Sequence, residues 1–241
     1  MAWFKDWFNT PYYHLLYGER DHVEAEKFIN NLLDYLNPEK GSVFLDLACG
    51  KGRHALDIAR KNFKVYGVDL SLESIEFAKK SECDNLKFEV HDMRETFKED
   101  YFDYVLNLFT SFGYFDTHED NLKTLIAVTN DLKQEGVFIQ DYFNSNVVLA
   151  NMKPSENKLI SGIDFHITKE IKDSNIIKTI SFKDNGESYR FQEKVKLLSF
   201  NDFENLYSNA GLKVIDVFGD YQLNPFNQNT SERLLLVSKK I

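Results

Sequence analysis

Between residues 42 and 143 the chain alternates short apolar runs with longer segments of helical period. "SVFLDL" (42–47) reads as a buried strand and "RHALDIARKN" (53–62) as a helix. "KVYGVD" (64–69) is a second strand, and Ser71 caps the helix "LESIEFAKKS". "LKFEVHD" (86–92) and "FDYVLNL" (102–108) are the third and fourth strands. Thr117 caps "HEDNLKTLIAVTNDLK", which Gly136 closes, and "VFIQDYF" (137–143) is the fifth strand. Strands separated by helices of this length cannot be hairpins. They pair in parallel, with helices covering both faces of the sheet. The pattern predicts a doubly wound α/β fold.

The flanks add to this frame. Asp21 and Glu24 form an expected capping box for a helix over 22–36, whose apolar face is Val23, Phe28, Ile29, Leu32, Leu33 and Leu36. After residue 150 the period changes to two in "IDFHITKEI", "NIIKTISFKD" and "ESYRFQEKVKLLS". Asn185-Gly186 joins the last two as a hairpin turn. This predicts an antiparallel β insert over about 155–198. A helix "NDFENLYSNA" ending at Gly211 follows, then strands "KVIDVFGDY" and "SERLLLVSKK". The whole of 1–241 reads as a single domain, with 1–37 as an N-terminal lid and helix.

Composition narrows the functional classes. The 241 residues are 43% hydrophobic and carry a net charge of -9. No Lys/Arg-rich run is present, which argues against a nucleic-acid partner. Cys49 and Cys83 have no metal-ligand spacing around them, so no metal is expected. The aromatic, mixed-charge start "MAWFKDWFNTPYYHLLYGER" is unlike a signal peptide, and no apolar run reaches the ~20 residues of a membrane span. The expectation is a cytoplasmic monomer or homodimer without membrane contact.

The turn after the first strand, "DLACGKGRHA", raises the question of its ligand. A phosphate-gripping P-loop requires G-x-x-x-x-G-K-[ST]; here Leu45 stands at the first glycine position and Gly52 follows Lys51. A dinucleotide loop fits better, because Gly50, Gly52 and Ala55 match G-x-G-x-x-G/A and Asp69 ends the second strand. Its geometry is unfavourable, however. Asp46 stands just before the loop, and a carboxylate 4 Å from a phosphate charge is repulsive by about 1–4 kcal/mol. A phosphate-free, cationic nucleoside such as S-adenosylmethionine turns that acid into an asset. Gly50 would let backbone approach it closely.

"VFLDLACGKGRH", "VYGVDLS" and "FEVHDMRE" resemble the successive motifs of class I S-adenosylmethionine-dependent methyltransferases. Ala48 replaces the first glycine of that family's first motif. The resemblance covers about 40–145 and resumes at "SERLLLVSKK", which suits the family's antiparallel last strand. It implies a Rossmann-like, mainly parallel seven-stranded sheet with an antiparallel last strand. It also implies S-adenosylmethionine as cofactor. Asp46, Ala48 and Gly50 would line the methionine end, Asp69 would hold the ribose diol, and Leu70 would flank the adenine. Asp92 would accept from the adenine amine with Met93 nearby, and Asn107 and Leu108 would border the site of methyl transfer.

Other features bear on the acceptor. Tyr12, Tyr13 and Tyr17, with His14 and Arg20, are dense for a tail before the first long helix. They suggest a lid over the cofactor's sulfonium, with Tyr13 and Tyr17 as the contacts; an aromatic face beside a cation contributes about 0.5–2 kcal/mol. "NLFTSFGYFD" after the fourth strand lacks the N/D-P-P-Y/F/W tetrapeptide of nucleic-acid amino-methyltransferases. Phe109, Ser111, Phe112 and Tyr114 there suit an apolar pocket with a few polar points. The expected activity is in-line methyl transfer to a small-molecule acceptor. Two alternatives stand beside it, an NAD(P)-binding oxidoreductase and a non-catalytic S-adenosylmethionine-binding protein. His14, Tyr13 and Tyr17 are candidates for a base, but no residue is assigned as one. Arg190 in the insert reads as a strand-surface charge.

Overall fold

The computed structural model describes residues 3–17 and 22–241. The alternating region forms the expected parallel strands, β1 Val43–Leu47, β2 Lys64–Asp69, β3 Leu86–Val90, β4 Phe102–Asn107 and β5 Leu132–Phe143. With β10 Leu212–Phe218 and β11 Arg233–Lys240 they make a seven-stranded sheet in the order β10-β11-β5-β4-β1-β2-β3. The pairings β1–β2, β1–β4, β2–β3 and β4–β5 are parallel, whereas β11 runs antiparallel to both β5 and β10. The expected antiparallel last strand is therefore present. The order reverses at β1/β4, so the loops at the carboxyl ends of these strands open into one crevice.

Helices cover both faces because the strands are apolar on both. Phe44, Val65, Leu106 and Ile139 pack towards α3 His22–Leu36, α4 Arg53–Ala59 and α5 Leu72–Ala78. Leu45, Val68, Val105 and Phe138 pack towards α6 His118–Asp131 and α8 Phe200–Ala210. The caps expected at Ser71 and Thr117 are in place, accepting from the amides of Ser74 and Asp120, and the structure adds a capping box of Ser199 with Asp202. Asp21 and Arg20 lie outside the described residues.

Two boundaries differ from the sequence pattern. Helix α6 stops at Asp131, and β5 starts at Leu132, so Gly136 lies inside a strand. The Asp131 carboxylate accepts from the amides of Phe97 and Lys98, both at 2.7 Å, which anchors the helix end beside the loop before β4. The insert has four strands, β6 Ser155–Ile160, β7 Ile163–Lys172, β8 Asn175–Asp184 and β9 Glu187–Lys196, in a separate antiparallel sheet. Strand β6 has no apolar alternation because it is an edge, paired only to β7. A short helix, α7 Ser145–Asn151, precedes it.

The N-terminal aromatics form two helices, α1 Trp3–Phe8 and α2 Pro11–Tyr17. They pack on the insert sheet through a third apolar cluster of Trp7, Leu16, Phe165, Ile167, Ile180 and Phe182. These two helices and the insert thus share one apolar cluster, apart from the two that flank the main sheet.

Ala48 sits at φ 62°, in the left-handed region. An L-residue there costs roughly 1–2 kcal/mol, and the added freedom of glycine in the unfolded chain offsets part of any relief. Ala48→Gly is expected to raise the unfolding free energy by about 0.5–1 kcal/mol. Urea denaturation checks this; a variant less stable than the wild type would contradict the strain.

Candidate functional site

The loop "ACGKG" leaves β1 with Ala48, Gly50 and Gly52 all at positive φ. The two glycines do different work. A Cβ on Gly52 would lie 2.4 Å from the Phe88 ring, so Gly52 lets the loop pack onto β3. A Cβ on Gly50 would meet nothing within 4 Å, so Gly50 faces open space.

Two acids hold this loop. Asp46, near the end of β1 and almost fully buried, accepts the Ala55 amide at 3.1 Å. Burial pushes its pKa up from 3.8 to about 7; the Ala55 bond pulls against this, and Asp69 adds to it. Asp69 ends β2. Its Oδ2 accepts the Gly50 amide at 2.8 Å and its Oδ1 accepts the Ser71 amide at 2.8 Å. Burial raises its pKa too, opposed by those amides. Among the described residues, neither acid has a cationic partner in hydrogen-bond contact.

The third acid differs. Asp92 lines the same cleft, but Arg94 grips both of its oxygens, Nε at 3.0 Å and Nη2 at 2.6 Å. This pair holds the Asp92 carboxyl below its ordinary range. Arg94 also lies 4.7 Å over the Phe115 ring, which meets Phe4 of α1. Through Arg94 and Phe115, the loop after β3 is linked to α1.

These elements surround one cleft of about 1580 Å³. Asp46, Ala48, Gly50, Asp69, Leu70, Asp92, Met93, Leu108, Tyr13 and Tyr17 all line it. Asn107 does not. Its buried amide donates to the carbonyls of Leu47 and Ser111, at 3.0 and 3.2 Å, so it braces the loop from behind. Of the aromatic stretch after β4, Phe109, Ser111 and Tyr114 reach the cleft, while Phe112 is in the core. Tyr12 faces away and donates to Asp184 at 2.8 Å, and Arg190 is exposed outside the cleft. His14 lines the cleft; its buried Nε2 has no hydrogen-bond partner among the described residues, and burial together with Lys51 lowers its pKa.

Several cleft residues carry little sequence signal. Phe109 and Thr110 are consecutive left-handed residues, at φ 56° and 61°. Such strain persists only where the surroundings over-determine it. Asp141, with no exposure, does so: its Oδ2 accepts the Phe109 amide at 2.8 Å and the Tyr221 hydroxyl at 3.1 Å, and its carbonyl accepts the Thr110 amide. Arg233, on β11, donates Nε to Asp141 at 2.8 Å and Nη2 to Thr110 at 3.0 Å. The side-chain contacts among them join residues 32 to 123 positions apart in sequence.

The sequence pattern of the methyltransferase-domain family matches residues 38–196. This chain belongs to that family. It is an S-adenosylmethionine-dependent methyltransferase of class I, so S-adenosylmethionine is its cofactor. A Bacillus subtilis (strain 168) protein named as a methyltransferase, YqeM, is 34% identical over 215 residues, covering 84% of this chain and 85% of that one. A glycine/sarcosine N-methyltransferase of Aphanothece halophytica is 26% identical over 228 residues, covering 92% and 83%. An S-adenosylmethionine-dependent methyltransferase structure from Clostridium acetobutylicum ATCC 824 shares the fold, with a TM-score of 0.79, 23% identity and 95% coverage of each chain. The NAD(P) and non-catalytic alternatives give way to the family assignment. The residues present are compatible with that cofactor: two buried acids, with no cation in hydrogen-bond contact among the described residues, stand beside a glycine whose backbone is open.

Two outcomes follow from this geometry. Asp46 binds its proton more tightly folded than unfolded, so its contribution to ligand-free stability falls as pH rises from about 4 to about 7, by up to about 1.4 kcal/mol per unit. Asp46→Asn removes that slope, and its stability relative to wild type should grow across this window and level off above it. Denaturant titrations at several pH values check this. Asp141→Ala leaves Arg233 unpaired and should lower stability by about 3–5 kcal/mol.

Proposed function

We propose that this methyltransferase acts on a small-molecule acceptor by in-line transfer, without a metal. The observation that carries the reading is the shape of the cleft. Its volume of about 1580 Å³ exceeds the ~300–1000 Å³ of a typical single-ligand pocket, which suits two ligands side by side. The glycine loop lines it together with Tyr114 and the insert residues Lys169, Lys178 and Glu193, and Tyr13 and Tyr17 line it as well.

S-adenosylmethionine supplies an activated methyl group; the protein's part is to bind, align and exclude water. Asp46 attracts the cofactor's ammonium group, and the Gly50 backbone lies against its methionine end. Asp69 takes the ribose hydroxyls; its two oxygens already fix the Gly50 and Ser71 loops, so the diol meets a preset carboxylate. Leu70, Asp92 and Met93 border the adenine, with Asp92 oriented by Arg94. Leu108 borders the transfer site, and Asn107 positions it from behind. Helices α1 and α2 close over the cofactor, with the Tyr13 and Tyr17 rings towards the sulfonium. Asn9 ties this lid to the cofactor loop by accepting from Ser71 Oγ at 2.5 Å.

A small acceptor agrees with the net charge of -9. The N-methyltransferase among its relatives, whose named substrates are glycine and sarcosine, favours an amine as the group methylated. Among the described residues no helix is long and apolar enough to cross a membrane, and no side-chain cluster suits a metal. We place the enzyme in the cytoplasm and expect no nucleic-acid partner.

Calorimetry should give a single S-adenosylmethionine site, weakened at least tenfold by Asp69→Ala; unchanged affinity would remove the ribose assignment. A labelled-methyl assay on a metabolite extract, with nucleic acid and protein fractions in parallel, tests the acceptor class. Label only in a macromolecular fraction would sink the small-molecule reading.

A further inference from the structure

On β7, β8 and β9 the face of the insert sheet that meets α1 and α2 is apolar except for one row, while on the edge strand β6 the same face carries Glu156 and Lys158. On β7 the inward phase reads Phe165, Ile167, Lys169, Ile171, and on β8 it reads Ile176, Lys178, Ile180, Phe182. On β9 it reads Phe191, Glu193, Val195. Register places the three charged residues directly opposite one another, Lys169 against Lys178 and Lys178 against Glu193. All three line the cleft.

The hydrogen bonds of this row are one-sided. Glu193 Oε1 accepts from Trp7 Nε1 at 2.8 Å and from the Tyr17 hydroxyl at 2.7 Å, and its Oε2 pairs with Lys178 at 3.4 Å. The acid is thus nearly filled by the lid and its neighbour. Lys178 also donates to Tyr17, and Lys169 pairs with Glu156 at 2.7 Å. An ammonium has three N–H groups. Two on Lys169 and one on Lys178 therefore have no protein partner among the described residues. The unfilled capacity facing the cleft is of the donor type.

The electrostatics agree. Two lysines directly opposite on a sheet repel one another. Lys178 is only 17% exposed at its side chain and Lys169 24%. Burial, then the neighbouring Lys169, lower the pKa of Lys178 against the pull of Glu193. An anion bridging the lysines would relieve both effects. Charges of both signs line the cleft around the glycine loop, where Lys51, Arg53 and Arg60 accompany Asp46, Asp69 and Asp92, whereas the insert strands bring Lys169 and Lys178 to it against the single acid Glu193.

We propose that the acceptor carries an anionic group, a carboxylate or a phosphate, which docks on Lys169 and Lys178 while the atom to be methylated faces the cofactor half. The inference rests on the small-molecule reading and names its substrate class. The lysines act in binding, through charge and hydrogen bonds, and take no part in the transfer step.

Titration of inorganic phosphate, pyrophosphate and succinate into the S-adenosylhomocysteine-loaded protein, at matched ionic strength, tests it. The expected result is one anion site per chain, weakened at least tenfold by Lys169→Gln and by Lys178→Met but not by Lys213→Gln on the exposed face of β10. S-adenosylmethionine affinity should stay within twofold in all three. Lys169→Gln, at the more open lysine, keeps the test decisive if Lys178→Met does not fold. The tighter of the phosphate and carboxylate probes names the source of the anion. Absence of binding, or binding indifferent to both lysine variants, overturns the proposal. A parallel loss of cofactor affinity also overturns it, by assigning the lysines to the cofactor's own carboxylate. Turnover of ethylamine and ethanolamine, with none of β-alanine or O-phosphoethanolamine, overturns the anion assignment and leaves small-molecule methylation standing.

Discussion

The carboxylate of Asp69 is the constraint on which the site depends. It ends β2, yet one of its oxygens holds the Gly50 amide of the β1 loop and the other holds the Ser71 amide that opens α5. Two loops from adjacent parallel strands are thereby locked to a single acid. The bond is possible because Gly50 takes a positive φ, which turns its amide towards β2, and because Gly52 and Gly67 leave room for the Phe88 ring below. Adding side chains at those glycines would lift the loop from β3 and separate Asp69 from its amides. The polar edge of the cofactor pocket thus rests on an aromatic ring in the core.

A second lock stands on the opposite side of the crevice. Asp141 and Arg233 hold Phe109 and Thr110 in left-handed backbone beside Leu108. The strain stored there is offset by a buried, charge-assisted network. Because β11 runs antiparallel between β5 and β10, its first residue lies at the carboxyl end of β5, where Arg233 reaches Asp141. The reversed strand direction is therefore what brings a C-terminal side chain into the cleft.

The insert and the N-terminal helices complete the enclosure together. Trp7 illustrates their dependence: its ring is fully buried against Phe191, and its indole N–H ends on Glu193. Tyr17 makes the same connection from α2. A tail of aromatic residues becomes ordered roof because the insert offers it both an apolar bed and an acid to cap its polar atoms. The same acid leaves the neighbouring lysines with donors facing the cleft.

How much of this was legible in the chain follows from the range of each interaction. Short-range rules located β1 to β4, the caps at Ser71 and Thr117, the Asn185-Gly186 turn and the acids Asp46, Asp69 and Asp92, since each depends on neighbours a few residues away. Strand β6 was not legible, because an edge strand has no buried face to impose alternation. The partnership of Asp92 with Arg94 was written two residues apart and could have been read. Lys169, Lys178 and Glu193 were visible as single charges interrupting apolar phases, but their meeting depends on strand register. Asn107, placed by motif at the cleft, turned out to brace it from behind. The fold class could be read from the chain because hydrophobic period is local, and the family and its cofactor could be read from the likeness of three short motifs. The meeting of Lys178, Glu193 and Tyr17 at one side of the cleft could not, because sheet pairing and burial bring them together across most of the chain.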